Sequence, residues 1–257
     1  MKKCVVSFAT NHLNYPAGIE RIRRSLDKLG FDGEFLSWVV DDEYPEGCPS
    51  HDSSPYGFKP WVMSAARDAG FELCLFVDTS IVLYDLKSIF DSVSKDGAYF
   101  FQELRQIEVR RVAGEKISDL ALARMGVDRD YALTVPQLSA GVVGLDFRND
   151  AACRFLDDWL ALALDGDSFK GYGGPVSAEN NKRVFQNIDG FSSPHPRVVG
   201  HQHDQSIASI LAHKNGFRPH PRDNRVFKVE RYLVKPVPLV QRTKERVSRL
   251  VGRLRQS

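Results

Sequence analysis

The chain has 257 residues, 42% of them hydrophobic, and 35 Lys+Arg against 33 Asp+Glu give a formal charge of +2. Enough apolar surface is present to offset the entropy of ordering, which excludes disorder as the main state. No window approaches the ~18 uninterrupted apolar residues of a membrane span, and the length suits one α/β domain with a small appendage.

Cys4–Ala9 reads as a buried strand after a short basic start. The start lacks the long apolar core and cleavage site of a signal peptide, so a cytoplasmic protein is expected. Ile19, Ile22, Leu26 and Leu29 recur at helical spacing before Gly30, and Glu34–Val40 reads as a second strand. After a polar loop, Pro60 can open a helix through Trp61–Ala69 that stops at Gly70. Leu73–Val77 is a continuous apolar run ending at Asp78, as suits a central strand covered on both faces. Asp85 is placed to cap a segment Leu86–Phe90, and Ala98–Gln102 and Gly141–Leu145 read as further strands. A helix then carries Phe155, Leu156, Trp159 and Leu160 on one face, and Asp204 starts a last helix with Ile207, Ile210 and Leu211 inward. This alternation predicts an α/β domain over residues 1–235, its mostly parallel sheet flanked by helices and its ligand crevice at the carboxyl ends of the strands. The four cysteines form no C-x-x-C pair and read as buried reduced thiols.

Val234–Pro238 should break regular structure and set off a basic tail, 236–257. Residues 241–257 hold six Lys/Arg and one Glu, with Val247, Leu250, Val251 and Leu254 at helical spacing. Such a helix can lie on the anionic inner face of a membrane, or else be solvated or packed on the body.

The candidate chemistry gathers at strand ends. Asp78 can hold a divalent cation that neutralises a diphosphate, or simply cap a turn. His201 and His203 are two apart, so in an extended segment their imidazoles point the same way and can ligate a metal. Asp204 can cap its helix and serve as base or electrostatic stabiliser; the plainer alternative is an N-cap flanked by solvated histidines. Lys59 can point its ammonium into the same crevice to meet a phosphate, or stand as a solvated loop lysine. Thr10 and Asn11 follow the first strand at that rim, and Gly171–Pro175 reads as a mobile loop over the acceptor side. The chain has no phosphate loop, no G-x-G-x-x-G after the first strand, no G-x-S-x-G elbow and no H-E-x-x-H. Its body lacks basic runs interleaved with aromatics, so nucleic acid is not an expected partner.

The order Thr10-Asn11, Phe58-Lys59-Pro60, Asp78-Thr79-Ser80, Ser139-Ala140-Gly141 and His203-Asp204-Gln205-Ser206 resembles the GT-A class of nucleotide-sugar glycosyltransferases, particularly small viral and bacterial enzymes that decorate polysaccharides or glycans. The resemblance spans about residues 4–217 and implies a GT-A-like fold with a Rossmann-like nucleotide-binding half. It implies a nucleoside-diphosphate sugar as donor, a UDP-sugar favoured, and a glycan or lipid-linked glycan as acceptor. In that class a D-x-D motif holds Mn²⁺ or Mg²⁺ on the donor diphosphate. Asp78 matches the first acid, whereas Ser80 stands at the second, so His201 and His203 are the candidates to complete the metal set. Thr10, Asn11 and Lys59 would contact the nucleotide, Ser139, Ala140 and Gly141 the donor sugar, and Asp204 the reacting centre. Ser80 also motivates an alternative, a non-catalytic nucleotide-sugar-binding relative with a degenerate site. A metal-dependent phosphohydrolase using Asp78 and the histidines is a further one. Specificity is expected in the loops 103–136 and 165–200.

Overall fold

Cys74 and Phe76 point into one hydrophobic layer, and Leu73, Leu75 and Val77 into another. Successive strand side chains alternate faces, so an unbroken apolar run is satisfied only by cover on both. The computed structural model describes residues 1–12, 14–41, 43–103 and 107–230. The expected domain boundary near 235 and the basic tail lie outside the described residues.

The strands are β1 (Lys3–Thr10), β2 (Glu34–Val40), β3 (Leu73–Val77), β4 (Ile81–Leu83), β5 (Ala98–Gln102), β6 (Ser139–Asp146), β7 (His220–Pro221) and β8 (Phe227–Val229). Six of them form one sheet in the order β2-β1-β3-β6-β5-β7, and β4 pairs with β8 in a separate ribbon. β1 is parallel to β2 and β3, and β5 to β7, while β6 runs antiparallel to both its neighbours, β3 and β5. The fold is therefore mixed α/β with a mostly parallel central sheet, reversed at one inner strand.

Helices α1 (Tyr15–Lys28) and α3 (Leu86–Asp96) cover one face through Ile22, Leu26, Ile89 and Val93. Helices α2 (Phe58–Asp68), α6 (Asp150–Asp165) and α9 (His203–Lys214) cover the other through Val62, Met63, Phe155, Trp159 and Ile207. Each such side chain taken fully out of water contributes about 1.5–3 kcal/mol, so these faces fix where the helix ends fall.

Several boundaries differ from expectation. α2 begins at Phe58, because a first helical turn needs no N–H from Pro60. Leu29 is the C-cap residue of α1 and is exposed. Asp85 does cap α3, accepting from Ser88 N at 3.0 Å, but the helix continues past Phe90 to Asp96. The stretches 103–136 and 165–200 are partly helical, with α4 (Asp119–Met125), α5 (Arg129–Ala132), α7 (Asp167–Lys170) and α8 (Ala178–Gln186). Cys4, Cys48, Cys74 and Cys153 are free thiols, the first three buried and Cys153 partly so. Among the described residues no helix is long and apolar enough to cross a membrane.

Candidate active site

The carboxyl edge of the sheet collects four strand ends. β1 and β2 finish side by side, where Asn11 N donates to Val40 O at 2.6 Å and Asn11 Nδ2 to Asp41 Oδ1 at 2.7 Å. β3 finishes at Val77, and Asp78 opens a turn in which Ile81 N donates to Asp78 O at 2.9 Å. The reversal of β6 supplies the fourth member: its first residues, Ser139–Gly141, arrive at the edge the other strands leave. Asp78 N donates to Gly141 O at 2.8 Å. A Cβ at Gly141 would stand 3.3 Å from Asp78 Oδ2, so the missing side chain is what leaves the carboxylate room.

Lys59 lies inside the first turn of α2 and is buried, not a solvated loop lysine. Its Nζ donates to Ala140 O at 3.0 Å and to Asp204 Oδ2 at 2.8 Å, and lies 3.7 Å from Asp78 Oδ2. The Lys59 and Asp204 side chains are 5% and 6% exposed, against 34% for Asp78. Burial pulls the Lys59 pKa down, but the charges of Asp204 and Asp78 outweigh it and hold the group above its ordinary value. Asp204 does not cap its helix as expected. Gln202 occupies the N-cap position without a side-chain bond, and the Asp204 carboxylate is turned inward to Lys59.

The two histidines pack edge to face, ring centroids 5.5 Å apart, but face different partners. His201 is fully buried; its Nδ1 accepts from Ser118 N at 3.2 Å and its Nε2 donates to Phe169 O at 3.1 Å. Both ring nitrogens are spent on backbone, so the expected role of His201 as metal ligand is corrected: it ties together the segments around the site. Burial, then the neighbouring His203, lowers its pKa to about 3. His203 also donates to Phe169 O, from Nδ1 at 2.9 Å, which leaves Nε2 as its lone-pair nitrogen. Its ring packs against Tyr56 and Phe185. In the Gly171–Pro175 segment Lys170 Nζ donates to Gly174 O at 2.9 Å, and Tyr172 Oη to Asn181 Oδ1 at 2.6 Å.

Two cavities meet at Asp78 and Ser80. The first, about 600 Å³, is lined by Lys59, Asp78, Ser139, Ala140, Gly141, His203 and Asp204. The second, about 860 Å³, runs over the ends of β1 and β2 past Thr10, Asn11 and Asp41. The structure thus brings together every sequence-predicted residue except His201. It adds Tyr15 and Tyr56, common to both cavities, and Phe185 and Gln205 in the first. Phe185 had a local signal, an aromatic ring on the mostly polar stretch Ala178–Gln186.

Among the described residues lining the two cavities, four carboxylates (Asp41, Asp52, Asp78 and Asp204) stand against one ammonium, Lys59. Also among the described residues, no three His, Cys, Asp or Glu side chains converge as a ready metal cage. A carboxylate and a hydroxyl in acidic surroundings, Asp78 and Ser80, nevertheless fit a hard divalent cation. Such cations are commonly held by one or two carboxylates, with phosphate oxygens completing the shell.

No protein-family model and no curated protein matches the chain. Solved structures do. The chain is similar to a glycosyltransferase involved in the glycosylation of the major capsid of PBCV-1, at 12% identity over 62% of this chain and 66% of that one, with a TM-score of 0.35. It therefore spans just under two thirds of that protein. It is similar to mouse xyloside xylosyltransferase 1 in its apo form, at 9% identity over 87% and 86% of the two chains, with a TM-score of 0.42. It is also similar to the galactosyltransferase LgtC in complex with donor and acceptor sugar analogs, at 14% identity over 83% of this chain and 95% of that one, with a TM-score of 0.33. All three are glycosyltransferases, but likeness at this level carries no functional argument, so function has to be argued from the residues of this chain.

Proposed function

We propose that the protein is a glycosyltransferase that moves a sugar from a nucleoside-diphosphate sugar to a glycan or glycolipid hydroxyl. The observation that carries this reading is the pair of cavities joined at Asp78 and Ser80. One is large enough for a nucleoside beside the ends of β1 and β2; the other leads to the Lys59–Asp204 pair. A diphosphate lies poorly against walls holding four carboxylates and one ammonium, so donor binding needs a further cation. Asp78 and Ser80 would hold Mn²⁺ or Mg²⁺ at that junction, where the ion would supply positive charge against the departing diphosphate. Thr10 and Asn11 would face the nucleoside, and Ser139, Ala140 and Gly141 the donor sugar. Breaking the sugar–phosphate bond develops positive charge at the anomeric carbon. Asp204, fixed by Lys59, would steady that charge or take the acceptor hydroxyl's proton.

The test is a thermal-shift panel of UDP-, GDP-, dTDP- and CMP-sugars, each with Mn²⁺ and with EDTA. A ligand of the native state raises stability by RT ln(1 + [L]/Kd), so one nucleotide should raise the melting temperature and EDTA should remove the rise. No response to any of them from folded protein would overturn the reading. Ser80 in place of a second acid favours one other reading, a binding protein that does not transfer. It would show the shift without donor hydrolysis or transfer.

A further inference from the structure

The mouth of the first cavity carries two solvent-open aromatic rings, Tyr56 at 39% and Phe185 at 47% exposure. Both lie against His203, with ring centroids 5.9 Å and 6.3 Å away. The three rings form a band that starts beside Asp204 and ends in solvent. Two of them sit on strained backbone, for Tyr56 has φ 65° and His203 φ 41°. Non-glycine residues hold such angles only where surrounding structure enforces them, and such positions concentrate at ligand sites. The backbone beneath the third ring is held too: His201 N donates to Val184 O at 3.0 Å, and the Phe185 carbonyl lies so close to Gly200 that no Cβ fits there. Around the band, Gln202 Oε1 accepts from Gln137 and Gln205, which leaves the Gln202 amide nitrogen as donor and Gln205 Oε1 as acceptor on the same wall.

The Phe185 and His203 rings lie within 20° of parallel and Tyr56 is tilted 43° to His203, so the band offers aromatic faces to a sugar ring, whose C–H face is weakly positive, while its hydroxyls reach the amides. We propose that Tyr56, Phe185 and His203 form the acceptor subsite and stack a pyranose, so that the acceptor is recognised through its terminal sugar and not through a lipid chain. This rests on the transferase reading, but its test needs no donor.

The test is saturation-transfer NMR on the full chain with methyl glycosides of glucose, galactose, xylose and rhamnose, and with octyl glucoside. At least one pyranose should receive saturation on its ring C–H protons. Phe185→Leu should weaken that binding roughly three- to tenfold, the range of an aromatic contact, and Phe185→Trp should restore it. Tyr56→Asn, which tolerates a positive φ, should weaken it likewise. Saturation confined to the octyl chain, binding unchanged in Phe185→Leu and Tyr56→Asn, or no sugar signal at all would overturn the proposal. A nucleotide-dependent rise in melting temperature alongside such a failure would leave the transferase reading standing. Sugar binding without any nucleotide response would leave a saccharide site at these rings and overturn the transferase reading, and with it the acceptor role.

Discussion

Lys59 and Asp204 stand 145 residues apart in the chain and 2.8 Å apart in the fold, almost without solvent. Removing one partner of such a pair leaves a buried charge uncompensated, typically at about 3–5 kcal/mol. Asp204→Asn should fall near the lower end, because Asp78 still faces the ammonium at 3.7 Å. Lys59→Met leaves two carboxylates confronting each other and should also destabilise. The double variant Lys59→Met/Asp204→Asn should recover part of the loss, and urea midpoints for the four proteins give the coupling. The Lys59 pKa is raised, so its stabilising contribution is complete below the ordinary lysine value and is lost only as pH rises through the higher folded one.

His201 predicts the opposite pH behaviour. Its pKa falls from 6.5 to about 3 on folding, through burial first and the nearby His203 second. Between those values the unfolded chain carries a proton the folded one does not. Stability from this group is therefore present above the ordinary histidine value and declines as pH drops, by about 1.4 kcal/mol per unit. His201→Gln keeps one acceptor for Ser118 N and one donor for Phe169 O but does not titrate. The variant should lose less stability than the native chain between about pH 7 and about pH 4 in paired urea titrations. An unchanged slope would mean that other groups carry the acid sensitivity.

The turn holding Asp78 leans on α1. A Cβ at Gly18 would stand 2.5 Å from Thr79 O and 2.6 Å from Thr79 Cβ, and Arg21 donates to the same carbonyl. Gly18→Ala should therefore cost about 1–3 kcal/mol by overpacking and displace Asp78 and Ser80. A melting curve reads the first effect, and a weaker Mn²⁺-dependent donor shift reads the second.

Charge at the cavity junction makes Ser80 informative. Ser80→Asp adds a second carboxylate beside Asp78 and should tighten Mn²⁺ on the order of tenfold, since ligand charge count tunes such sites. Asp78→Asn should remove the Mn²⁺-dependent part of the donor's thermal shift. Mn²⁺ titrations of that shift measure both, and indifference to either substitution would move the cation elsewhere.

The sequence exposes some of this and conceals the rest for identifiable reasons. Asp78 is legible because an apolar run with a carboxylate at its end leaves few placements for either. The burial of Lys59 is not, since nothing local distinguishes a solvated lysine from one whose counter-ion comes from α9. His201 and His203 share the Phe169 carbonyl and differ through Ser118, which bonds His201 alone and lies far away in the chain. The direction of β6 is silent as well, because an apolar strand pattern is the same read either way, yet that direction brings Ser139–Gly141 to Asp78.

The same strand imposes an order on the nascent chain. β6 lies between β3 and β5, both of which precede it in sequence. Until residues 139–146 have left the ribosome, β3 and β5 each offer a bare, apolar inner edge with no strand to pair with. Such edges are templates for wrong partners. The half-made protein is thus at its most adhesive just before the strand that closes the sheet also delivers one wall of the candidate site.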